Sequence, residues 1–103
     1  MLFAIHMLDR PGGAALRAAT GEAHRGYVRR NAHRMLLGGP LLAEDGTTMI
    51  GSLIVLECPD RAEAEAFVEA EPYRRAGLFE SVLIRRFAAV VALDPAGPGK
   101  GKD

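Results

Sequence analysis

An α+β fold with one antiparallel sheet is predicted from two features of this 103-residue chain. The first is the order of its periodicities, which runs strand, helix, strand, strand, helix, strand. The second is that the strand-like segments are apolar at both parities, not only at alternate positions. That order is the split βαβ or ferredoxin-like arrangement, βαββαβ, with both helices on one face of the sheet. The domain is expected to span residues 1–93. A disordered tail is expected over 94–103, where the composition turns to Pro, Gly, Lys and Asp.

Leu2 to Leu8 reads as a buried strand, stopped by the turn residues Asp9 to Gly13. From Ala14 to about Leu36 the pattern is helical. Leu16, Thr20, Ala23, Tyr27, Val28, Asn31 and Met35 share one broad face, with Arg25, Arg29 and Arg30 elsewhere. Gly21 and Gly26 each cost about 1 kcal/mol relative to Ala, so a late start or an interruption near Gly21 is expected. Gly38-Gly39-Pro40 reads as a break, with a short strand at Leu36 and Leu37 before it and Leu41 and Leu42 after it. Glu44 to Thr47 is a turn, and Gly51 to Glu57 is the second strong strand.

Asp60 is placed to cap a helix, with Glu63 three residues on. That helix should carry Ala62, Ala66, Phe67 and Ala70 inward and end by Glu71, because a residue before proline is pushed out of the helical region. Leu78 to Val91 reads as a last long strand or a bent pair, packing through Val82, Ile84, Phe87 and Val90.

Helices can cover one apolar face of such a sheet, and the other needs a partner. Leu53 and Val55 point one way and Ile54 and Leu56 the other, just as Phe3 and Ile5 oppose Leu2 and Ala4. A symmetric homodimer packing sheet on sheet is the simplest way to cover the open face.

A hydrophobic fraction of 49% with 25% charged residues is that of an ordinary soluble domain. The formal net charge is zero, so no basic field draws in nucleic acid or an anionic membrane. No apolar run reaches membrane-spanning length, and Leu2 to Leu8 lacks the basic flank and the length of a signal peptide. Cys58 is the sole cysteine, so no intrachain disulfide forms, and with no basic neighbour it reads as an inert thiol. A reducing cytoplasm fits. No His-x-x-x-His or His-x-His spacing occurs, so no metal site is expected, and no strand–glycine–helix phosphate loop is present.

His24 sits mid-helix on the broadly apolar side, and Arg17 lies two helical turns before it, where a guanidinium could orient an anion. Glu71 stands where a helix must stop, beside a rigid Pro72 and an aromatic Tyr73. A carboxylate there that reached His24 would set its tautomer and stabilise its charged form. From the residues alone, the leading readings are a packed helix histidine for His24 and a solvated helix residue for Arg17, and Glu71 reads also as one of several exposed glutamates. His6 shares parity with Leu2 and Ala4 and faces either a cavity under the helices or a subunit interface.

The order Asp9, Arg17, His24, Gly39-Pro40, Gly51-Ser52, Pro72-Tyr73 and Ala76-Gly77 resembles the YciI-like (YCII-related) family of small proteins over residues 1 to about 87. The resemblance implies a ferredoxin-like subunit of the dimeric α/β barrel type. It also implies a proposed acid–base pair, carried here by His24 and by Glu71 where the family usually has Asp. The function it implies is cofactor-independent proton transfer, of isomerase or lyase kind, on a small organic acid or lactone-like metabolite. His24 would be the acid or base and Glu71 its partner, with Arg17, Asp9, Tyr73 and His6 binding substrate. The alternative is a non-catalytic dimeric module for a small ligand or an acidic protein. A cavity beside His24 lined by Tyr73 or Phe79 would separate the two.

Overall fold

The computed structural model describes residues 1–91; the tail expected over 94–103 lies outside them, as do the last two residues of the expected domain. Strand β1 (Leu2–Asp9) alternates in burial, with Phe3, Ile5 and Met7 fully buried and Leu2, Ala4 and His6 only partly so. It lies at the centre of a four-stranded sheet with β2 (Met35–Leu42), β3 (Met49–Glu57) and β4 (Phe79–Phe87), in the order β2-β3-β1-β4. Every neighbouring pair is antiparallel. With helices α1 (Ala14–Asn31), α2 (Arg61–Glu69) and α3 (Pro72–Arg75), this is the α+β ferredoxin-like arrangement.

The helix-side parity of the sheet is set by register. Phe3 pairs with Leu56, Ile5 with Ile54 and Ile84, and Met7 with Ser52 and Val82. These residues join Ala64, Phe67 and Val68 of α2, with Tyr73, Leu78 and Phe79, in one core, and Leu16 and Tyr27 of α1 pack at its border. The opposite parity carries Ala4, His6, Leu53, Val55, Leu83 and Phe87. Gly51 faces the β1 backbone directly: a Cβ there would meet the Met7 carbonyl at 2.4 Å.

Several local expectations are corrected. Helix α1 runs unbroken through Gly21 and Gly26, ends at Asn31 and passes through a 3₁₀ turn over Ala32–Arg34 directly into β2. Its buried residues are Arg17 and Gly21, and Ala23 is exposed. Gly38-Gly39-Pro40 does not break the chain but lies inside β2, whose register with β3 runs unshifted from Leu37 to Leu41 and shifts only on either side of that stretch. The strand tolerates Pro40 because β2 is a sheet edge, where a missing N–H costs no ladder bond on the outer side. In α2 the inward residues are Ala64, Phe67 and Val68, an i, i+3, i+4 set, so Ala62, Ala66 and Ala70 are turned outward. Strand β4 ends at Phe87, leaving Phe87 on the open face and Val90 exposed beyond it.

Asp60 does cap α2, accepting the Glu63 N–H at 2.9 Å, while the Glu63 carboxylate reaches away to Arg34 at 3.6 Å instead of closing a capping box. Asp60→Ala should lower stability by about 1 kcal/mol, and Asp60→Asn, which can still accept, should stay close to the parent. Urea unfolding of the two variants checks this; equal losses would mean that the carboxylate charge, not the cap, matters.

Candidate functional site

Helix α2 ends at Glu69 and Ala70, and Pro72 starts a separate helix, so Glu71 is not a helix end but the N-cap of α3. Its side chain is completely buried. One carboxylate oxygen accepts the N–H groups of Tyr73 at 3.0 Å and Arg74 at 3.3 Å. The other lies 2.5 Å from Nδ1 of His24 on α1. A carboxylate accepts, so His24 donates its Nδ1–H, and in the neutral ring the lone pair then belongs to Nε2. The longer glutamate side chain therefore reaches His24 while also capping α3.

Tyr73 fixes the plane of that imidazole. The two rings stack with centroids 4.1 Å apart and 20° between planes. The Arg17 guanidinium also sits against Tyr73, 4.5 Å from its ring centre, and Phe79 meets Tyr73 edge-on at 6.0 Å. Arg17 is itself held by Asp9 through two parallel bonds, Nε to Oδ2 at 2.7 Å and Nη2 to Oδ1 at 3.0 Å, and reaches Ser52 Oγ at 3.5 Å. Burial alone would lower the Arg17 pKa, but the bond and charge of Asp9, with smaller contributions from Tyr73 and Glu71, together raise it. Both partners are largely buried, so the pair is a fixed strut.

A cavity of about 380 Å³ opens beside this cluster, within the size range of small-molecule sites. His24, Tyr73, Arg17, Arg25, Val28 and Arg29 line one side, and Met35, Gly38-Gly39-Pro40, Met49, Ser52 and Ile54 line the other. Among the described residues, no three His, Cys, Asp or Glu side chains gather as a metal-binding group. No helix among them is long and apolar enough to cross a membrane. Cys58 is buried, and that burial pushes its thiol pKa up.

Of the expected site residues, His24, Glu71, Tyr73, Arg17 and Asp9 form one connected cluster. His6 does not join it. Its parity is that of Ala4, opposite to the buried Ile5 and Met7, so it lies on the face of the sheet away from the helices. Phe79 supports Tyr73 but does not border the cavity. Arg25 and Arg29 border it although the helical pattern set them apart from the apolar face. Their signal was the i, i+4 spacing beginning next to His24, which places both on the flank beside it.

Three comparisons bear on this arrangement. The model of the YCII-related domain matches residues 1–88. Protein YciI of Escherichia coli and Protein YciI of Shigella flexneri are each 29% identical over 97 residues, covering 87% of this chain and 99% of the relative. Among solved structures, 5-chloro-2-hydroxyhydroquinone dehydrochlorinase (TftG) of Burkholderia phenoliruptrix, in complex with 2,5-dihydroxybenzoquinone, is 33% identical with a TM-score of 0.79. The match covers 85% of this chain and 94% of that one.

Burial raises the phenol pKa values of Tyr73 and Tyr27, although Arg17 beside Tyr73 pulls the other way. These are the only two tyrosines of the chain. In the unfolded chain they ionise at about 10. The folded protein therefore keeps protons that the unfolded chain has lost. Their contribution to stability is complete below the ordinary phenol range and declines as pH rises through it toward the folded values. Tyrosinate absorbance should develop only above that range in the folded protein, with the urea midpoint falling over the same interval. Absorbance appearing at the ordinary phenol pH while the fold is intact would contradict the burial argument.

Proposed function

Because the chain belongs to the YCII-related family, we propose that it is a small acid–base enzyme in which His24, backed by the buried carboxylate of Glu71, moves a proton on a small molecule held in the adjoining cavity. The observation that carries this reading is the 2.5 Å contact between His24 Nδ1 and Glu71 Oε1 at the wall of a cavity of about 380 Å³. A carboxylate on Nδ1–H leaves Nε2 as the base and stabilises the imidazolium that forms when it takes a proton. Stacking on Tyr73 holds the ring in one orientation, so little reorganisation accompanies the transfer.

An elimination or isomerisation suits this equipment. The base takes a proton from a saturated carbon, which on a hydroxylated ring belongs to its keto tautomer. The C–H electron pair becomes a double bond, and either a leaving group departs with its bonding pair or a proton returns elsewhere. Electrons balance within the substrate, and the chain's own side chains supply the acid and the base. The similarity to TftG, a dehydrochlorinase by name, supports eliminations on hydroxylated rings as the first to assay. Organic acids and lactones that isomerise by the same proton transfer come next. The presence of a cavity bordered by His24 and Tyr73 supports an enzyme over a binding module with a fully packed histidine.

The assay is chloride release from 5-chloro-2-hydroxyhydroquinone, extended to a panel of small lactones and hydroxy acids. On any compound turned over, His24→Ala should reduce kcat by about 10²–10⁴-fold. Glu71→Gln should reduce kcat with a smaller effect on KM, because an amide no longer favours the imidazolium. Unaltered turnover by His24→Ala would remove the assignment.

The same reading includes a homodimer built on the open face of the sheet. Leu83 and Phe87 are 48% and 42% exposed there, and Leu37 of β2 is 52% exposed. His6 Nδ1 is buried on that face with no hydrogen-bond partner in the single chain. A stable interface takes roughly 800 Å² from each partner, about what one face of a four-stranded sheet offers. Leu83→Asp, a change at a site that is half exposed in the single chain, should yield monomer with an intact circular dichroism spectrum. Sedimentation of the parent as a monomer at micromolar concentration would overturn the dimer.

A further inference from the structure

Apart from the Tyr73 phenol, the ionisable side chains that border the cavity are all basic. Arg17, Arg25, Arg29 and His24 border it, and no aspartate or glutamate does. Glu71 lies behind His24, and Asp9 is consumed by Arg17. We infer that the cavity is built for a small anion, whose ionised oxygens are gripped by Arg25 and Arg29 while its carbon skeleton lies on the apolar wall before His24. This rests on the proposed function for the site and names the substrate class it takes: a planar or short-chain molecule carrying a carboxylate or an acidic enol.

Four other arginines among the described residues have acidic partners. Arg17 pairs with Asp9, Arg34 with Glu63, Arg61 with Glu65 and Arg74 with Glu69. Among the described residues Arg25 and Arg29 have no acidic partner. An unpaired arginine on open surface is ordinary. Two of them, one helical turn apart at the edge of a cavity, put like charge on one wall, which a bound anion would offset. The planar guanidinium presents parallel N–H donors that match carboxylate oxygens.

Gly21 is the second observation. It is buried in mid-helix, where glycine is unfavourable, and a Cβ there would come within 2.9 Å of Arg25 Nη1 and 3.7 Å of Tyr73 Oη. The missing side chain leaves the space into which Arg25 folds beside the Tyr73 hydroxyl. The opposite wall offers Met35, Met49, Ile54 and the Gly38-Gly39-Pro40 segment, with Ser52 as its one hydroxyl. Charge recognition is thus confined to the α1 side. The ligand's acid group faces α1, and the rest of the molecule meets apolar surface.

Isothermal titration calorimetry with two matched pairs of probes tests this without requiring turnover. One pair is benzoate against benzamide, and the other is 2,5-dihydroxybenzoquinone against its dimethyl ether. The anion of at least one pair should bind about tenfold or more tightly than its neutral counterpart, and binding should weaken as salt rises. Benzoate preference identifies a carboxylate ligand, and preference for the hydroxyquinone identifies an acidic enol. The double variant R25Q/R29Q should lose the anion preference while keeping its melting temperature. Gly21→Ala should weaken anion binding several-fold without loss of helix, because the new Cβ displaces the Arg25 guanidinium. Equal binding of anion and neutral probe, no binding of either anion, or an R25Q/R29Q variant that retains the preference would overturn the inference. Failure of the acid–base reading is distinct: it would appear as anion-selective binding with no compound turned over.

Discussion

The structure turns on one buried carboxylate. Glu71 is removed from water entirely, and an ion in that position costs several kcal/mol unless its lone pairs are met. Three donors meet them: two backbone N–H groups at the start of α3 and the imidazole of His24. The first two would be orphaned at the start of a helix, so the residue that begins α3 also closes its own hydrogen-bond account. The third comes from α1. Fold and site therefore share one group. The carboxylate cannot be withdrawn from His24 without also disturbing the junction that carries Tyr73 into the core.

Around it, α1 is an unusual core helix. Its two buried residues are an arginine and a glycine, and its apolar contacts with the core come from Leu16 and Tyr27 near its two ends. Between those ends the helix spans the cavity instead of packing down on β3. Arg17 bridges part of this gap. Clamped by Asp9, touching Ser52 and lying on the Tyr73 ring, it links α1 to β1, β3 and α3 through polar contacts where another helix would use leucine. The clamp keeps open a space that hydrophobic packing would otherwise close. It also explains why Arg17 is an indifferent candidate for gripping a ligand: its donors are already directed at Asp9.

Much of the fold was legible because element order depends on periodicity and on proline and glycine, which act locally. The misses share a cause in tertiary context. Gly38-Gly39-Pro40 reads as a break in any strand, and only an edge position makes it acceptable. The faces of β1 are both apolar, so nothing in its own residues decides which one meets the helices. The answer comes from the core that Phe3 and Ile5 share with Phe67 and Val68, and it turns His6 away from the site. Glu71 stands among other glutamates of similar spacing. Pro72 hinted that its direction was fixed, yet complete burial is a property of how α1 crosses α3. His24 could be matched to it only through family resemblance, since 47 residues separate them.

On the proposed function, chemistry and selectivity fall to different parts of this molecule. His24, Glu71 and Tyr73 are bound into the α1–α3 junction, and changing any of them disturbs packing or a helix cap. Arg25, Arg29, Met49 and Gly39 border the same cavity but are exposed, and none of them belongs to the core. Substitution at such positions alters the cavity wall at little cost to folding, because surface positions away from caps and networks usually shift stability by less than about 0.5 kcal/mol. A family that keeps the junction can therefore change its ligands by varying one flank of α1 and one edge strand. On this view a shared proton-transfer apparatus implies nothing about a shared substrate. The identity of the ligand has to be sought in the residues the fold does not need.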